Sequence, residues 1–174
     1  MSLHAELLAQ SSYLLRREPR RPRQASLRRA ISAAYYALFH LLVHEASRVF
    51  VKDSDTIGML SRSYGHGDML DVSKRFAKGE LPRKLHPLLP TFNSPARKPI
   101  VDRLKSIAQA FVDLQEARHE ADYNLRVTYS RHEAERLVKL AEKAFSDWKS
   151  IRNDDLARIY LSCFLVSKAW EKDR

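Results

Sequence analysis

An all-α fold follows from three observations. Apolar residues recur at helical spacing along most of the 174-residue chain, only four glycines are present, and the prolines gather between the periodic runs or in a first turn. Hydrophobic residues make up 44% and charged residues 30%, the balance of an ordered globular protein, and the length suits a single domain over 1–174.

The first helix is expected over 3–17, with Leu3, Leu7, Leu8, Leu14 and Leu15 near helical spacing. Pro19 and Pro22 end it in a stiff, basic elbow. The second helix, 23–50, carries the stripe Leu27, Ile31, Ala34, Leu38 and Leu41, widened by Tyr35, Phe39, Leu42 and Val49. Its small residues Ala30, Ala33, Ala34 and Ala37 let a neighbouring helix approach closely, which suits a central position. Over 51–95, Pro82, Pro87, Pro90 and Pro95 interrupt the chain, so a long irregular excursion is expected, with a short helix at 68–77 bearing Met69, Val72 and Phe76. The third main helix starts near Lys98 with Pro99 in its first turn and ends near Tyr123. The fourth follows a capping box, Ser130 with Glu133, and carries Leu137, Val138, Ala141, Phe145 and Trp148. A last helix, 154–170, has Leu156, Ile159, Tyr160, Cys163, Phe164, Val166 and Trp170 around much of its surface, so either the domain's own core or a second subunit must cover it.

The net charge is +10, and half of it lies in the first thirty residues: Arg16, Arg17, Arg20, Arg21, Arg23, Arg28 and Arg29 against Glu6 and Glu18. Arginine clusters suit phosphate, an acidic partner, or simply a solvated and soluble surface. A lone Cys163 excludes an internal disulfide, no signal segment is evident, and the apolar run 159–170 is too short to span a bilayer and contains Lys168, which together point to the cytoplasm and away from a membrane.

Two polar rows stand out. Arg29, Ser32, Tyr36 and His40 share one face of the second helix, and Gln115, Arg118 and Asp122 share one face of the third. The plain alternative is a packed tyrosine, a satisfied histidine and an ion pair. However, an arginine four residues before a carboxylate is the weaker order on a helix, so the pair is poorly explained as helix stabilisation. His66, between two glycines, is expected in a loop and has no cysteine or carboxylate at metal spacing. No P-loop or G-x-G-x-x-G is present, so neither a metal nor a nucleotide cofactor is assigned.

At these residues the chain resembles the HEPN family of helical domains, in particular a branch whose second helix reads near S-R-A-Y-Y-A-x-F-H. Ser32, Ala34, Tyr35, Tyr36, Ala37, Phe39 and His40 match, and Ala33 stands where that branch often has arginine. His66-Gly67 with Val72-Ser73 and Phe76 is similar to its middle segment. Arg118, Ala121, Asp122 and Tyr123 match its R-x-x-A-D-Y, and Glu135 and 141–145 fit the helix after it. The resemblance covers 23–148 and leaves the basic arm and 149–174, a C-terminal helical extension, outside it. It implies an antiparallel four-helix core, a homodimer, dealings with RNA or nucleotide, and a nucleotidyltransferase partner in a toxin–antitoxin pair.

Nuclease members of the family carry a histidine four to six residues after the arginine; here Tyr123 lies five after Arg118. Metal-independent cleavage of RNA needs a base, an acid and a cation for the charged phosphorane. Arg118 suits the cation, but a phenol, with a reference pKa of about 10, is a poor base at pH 7. His119 points about 100° away around the helix, and His40 serves only if the two helix faces meet. Three functions therefore compete. The first is an RNA- or nucleotide-binding module that uses Arg29, Ser32, Tyr36 and Asp122 with the arm arginines 16, 17, 20, 21 and 23. The second is an endoribonuclease built on Arg118 with Tyr123 or His40. The third is a purely structural helical partner. The missing histidine favours the first over the second, and the arginine arm favours it over the third.

Overall fold

The computed structural model describes residues 2–172. Its elements are α1 (Leu3–Arg16), α2 (Gln24–Phe50), α3 (Ser54–Ser61), α4 (His66–Lys78), α5 (Leu89–Phe92), α6 (Lys98–Tyr123), α7 (Arg131–Ile151) and α8 (Asp155–Lys172), with short 3-10 turns at Arg83–Leu88 and Pro95–Arg97. No strand occurs among the described residues. The chain forms two compact units, and the division falls inside α2, α6 and α7.

The first unit comprises residues 1–41 and 110–146, and so α1 with the adjoining parts of α2, α6 and α7. Its core is the expected α2 stripe, with Leu27, Ile31, Ala34, Tyr35 and Leu38 at 1% exposure or less. Phe111 and Leu114 of α6, and Ala134, Leu137 and Ala141 of α7, are buried in the same unit. The capping box forms as expected: Ser130 N donates to Glu133 Oε2 (2.7 Å), and Glu133 N donates back to Ser130 Oγ (3.2 Å).

The second unit comprises residues 42–109 and 147–174. Here the expected irregular excursion is largely helical. Asp53 caps α3 by accepting from Thr56 N (2.9 Å), so the excursion opens on a helix that was not expected. Those prolines do not break the chain into loop. Pro87 sits within a 3-10 turn, while Pro90 and Pro95 open short helical turns, where an N–H has no partner to lose. His66 opens α4 and is not a loop residue, because α4 starts two residues earlier than expected. Gly79 ends α4 at φ 78°, with Gly79 N on Phe76 O and Glu80 N on Arg75 O (2.9 Å each). A Cβ there would stand 2.6 Å from Lys105 Nζ.

The second unit itself covers the apolar face of α8. Leu156, Tyr160, Leu161, Cys163 and Phe164 are buried, and the Tyr160 hydroxyl shares a hydrogen bond with Ser73 of α4 (2.7 Å). Burial pushes the Cys163 thiol up to about 12, so it remains protonated. Of the two coverings open to this helix, the chain's own core therefore accounts for these residues; Trp170 lies outside the described side chains.

Candidate functional site

The two polar rows meet within the first unit. Arg118 Nη2 donates to the Tyr36 hydroxyl at 2.6 Å, and Arg118 Nε lies 2.9 Å from Asp122 Oδ2. The second contact is ionic, since the Nε–H is not aimed along it. Asp122 is held in turn by the Ser32 hydroxyl, which donates to Oδ1. Three rings surround the guanidinium: its carbon lies 5.8 Å from the centroid of Tyr35, 5.2 Å from Tyr36 and 5.6 Å from Tyr123. Burial works against the charge of Arg118, but the oxygens of Tyr36 and Asp122 more than offset it and raise its pKa.

The members differ in access. Ser32 is buried, and the Arg118 and Asp122 side chains are each about one-fifth exposed. The Tyr123 ring is 65% exposed and lies 5.1 Å from the exposed ring of His119. His40 is stacked on Tyr36 (6.3 Å, 29° between planes) and edge-on to Phe39. Burial lowers its pKa, so the imidazole is neutral at pH 7.

Arg29 does not join this cluster through any described contact and is exposed. Its neighbour Arg28 turns to the end of α6, where it donates to the carbonyls of Ala121 (2.7 Å), Asn124 (3.1 Å) and Val127. Gln24 adds a two-way clamp, donating to Tyr129 O and accepting from Tyr129 N at 2.8 Å each. The loop that follows Tyr123 is thus tied to the start of α2. The signal for Arg28 was present in the sequence: 28, 32, 36 and 40 keep a uniform four-residue spacing, from which position 29 departs by about 100°.

Arg16, Arg17, Arg20, Arg21 and Arg23 are all exposed on an ordered elbow. Arg131 of α7 secures that elbow by donating to the carbonyls of Leu15 (2.6 Å), Glu18 and Pro19 (3.0 Å). Glu18, the local carboxylate, accepts from Ser26 Oγ at 3.0 Å and lies 3.8 Å from Arg17 Nε, a solvated pair of little energetic weight. Arg131 and Gln24 were not foreseen from the sequence, because each binds backbone that lies more than a hundred residues away.

The cluster offers a fixed, ring-framed cation, a carboxylate that positions it, and an exposed phenol ring. No group of three metal-ligating side chains converges among the described residues, and no described helix is long and apolar enough to cross a membrane. No family model, no curated protein and no solved structure matches the chain.

Proposed function

We propose that the protein is a HEPN-like module that binds RNA or nucleotide phosphate without cutting it. The observation that carries this reading is the Arg118 guanidinium, held by Tyr36 and Asp122 among three rings. A guanidinium has five donors in a planar fork suited to phosphate oxygens, and fixing it in advance lowers the entropy lost on binding. The exposed Tyr123 ring provides a face on which a base can stack. The five exposed arm arginines supply further phosphate neutralisation. Binding is favoured over cleavage because the residue five positions after Arg118 is a tyrosine, while His40 stacks on Tyr36 and makes no described contact with Arg118. In this reading the four helical stretches of the first unit form the antiparallel HEPN core. The protein works in the cytoplasm as a homodimer, as one component of a toxin–antitoxin pair with a nucleotidyltransferase-like partner.

The test is RNA binding across a salt series for three chains: intact, Arg118→Ala, and the five arm arginines changed to alanine. The intact chain should bind with strong salt dependence. Each phosphate contact removed should flatten the slope of log K against log salt by about 0.7 for single strands. Equal binding by all three chains, or none by any, refutes the reading. Cleavage by the intact chain in a chelator, lost on Arg118→Ala, would establish the endoribonuclease instead.

A further inference from the structure

We propose that the second unit carries a separate anion site, for the phosphomonoester of a small organic molecule, in the cleft between the C-terminal end of α2 and the α7–α8 turn. The cleft is open to solvent and has a volume of about 460 Å³, within the range of small-ligand sites. Arg48, Arg152 and Arg158 line it together with Glu45, Asn153 and the apolar Val49 and Leu161.

The walls are braced. Asp154 caps α8 by accepting from Leu156 N at 2.9 Å, and its carboxylate also takes Arg97 Nη2 at 2.6 Å. Arg152 and Arg158 therefore flank a fixed turn. Glu45, whose side chain is 13% exposed, lies 3.5 Å from Arg152 Nη2 and orients that guanidinium. Arg158 has a partner in Asp155 at 3.7 Å, but that carboxylate is 86% exposed and its pull is screened. Among the described residues Arg48 makes no ion pair, so it faces the cleft from α2 without a competing carboxylate.

Charge chooses among the anions. Three arginines against one carboxylate leave two positive charges in excess on the lining. A phosphomonoester carries close to two negative charges at pH 7, with a second pKa of about 6, whereas a backbone phosphodiester carries one. Val49, with the buried Leu161 behind it, gives an apolar patch for the organic part. A free nucleotide and the 5′-phosphorylated end of an RNA share this chemistry. The site uses neither Arg118 nor the arm, so it stands or falls apart from the RNA-binding reading.

Calorimetry on the full chain tests it, with adenosine 5′-monophosphate and adenosine as probes. The monophosphate should bind and adenosine should not, and binding should weaken as pH drops below about 6 and the ligand becomes a monoanion. Arg48→Gln with Arg158→Gln should weaken binding by roughly tenfold or more. Both side chains are exposed, so circular dichroism should show an unchanged fold. A 5′-phosphorylated oligoribonucleotide that binds better than its 5′-hydroxyl twin, by a margin the double arginine variant abolishes, supports the site and assigns it to RNA ends. Equal binding of the two oligonucleotides, with monophosphate binding retained, supports it for free nucleotides. No binding of the monophosphate at millimolar concentration, equal binding of adenosine, or an unaffected double arginine variant overturns the proposal.

Discussion

Arg118 and His40 both pack against the Tyr36 ring and meet opposite fates on burial. The guanidinium gains two oxygens and keeps its charge; the imidazole packs against the rings of Tyr36 and Phe39, and burial shifts it toward its neutral form. The second effect makes stability depend on pH. In the unfolded chain His40 binds a proton near its ordinary value of about 6.5, whereas in the folded chain it does so only at lower pH. Below about pH 6.5 the unfolded state therefore holds more protons than the folded state, and stability falls as pH falls; the full contribution is present above that value. Thermal unfolding of the wild type and His40→Gln at about pH 7.5 and about pH 5.5 checks this. The wild type should lose more melting temperature on acidification than the variant, and equal losses would remove His40 as a cause.

At the scale of elements, the α6–α7 loop is held from a distance by Arg28 and Gln24 of α2. Arg28→Ala leaves three carbonyls to find other partners. Hydrogen bonds from a charged donor contribute about 1.5–3 kcal/mol, so a loss of about 2 kcal/mol in stability is expected. It should come with faster amide exchange over residues 124–129 and little change in the middle of α7, whose own capping box remains. Uniformly faster exchange along the whole chain would show instead that Arg28 supports the fold as a unit. The last helix teaches a related point. Its apolar wrap was legible in the sequence, but whether the chain or a partner covers it was not, because coverage depends on where α4 lies.

For the molecule as a whole, charge and apolar exposure act in opposition. A net charge of +10 disfavours self-association, yet Leu125, in the loop that follows α6, is 86% exposed. Self-association that buries Leu125 should therefore strengthen with salt while RNA binding weakens. Light scattering at tens of micromolar and at two salt concentrations should show a dimer whose proportion rises with salt, and Leu125→Asp should return the chain to monomer. A stable interface should bury more than about 1,000 Å² in total. A monomer under every condition would refute the dimer.

The sequence carries the helical class, the bounds of α2 and α6 and the start of α7, because those helices have long apolar stripes with a proline before or within the first turn, or a capping box. It also placed Ser32, Tyr36, Arg118 and Asp122 on two helix faces, since a spacing of three or four residues is a local property. The helicity of 51–95 was concealed by prolines whose effect depends on whether they open a turn or interrupt one. That Arg28 and not Arg29 reaches the α6 end, that Arg131 holds the basic elbow, and that the two polar rows face each other were decided by tertiary structure alone. Those contacts join residues some eighty to a hundred and sixteen positions apart, and a pattern read along one helix carries no information about which face its neighbour presents.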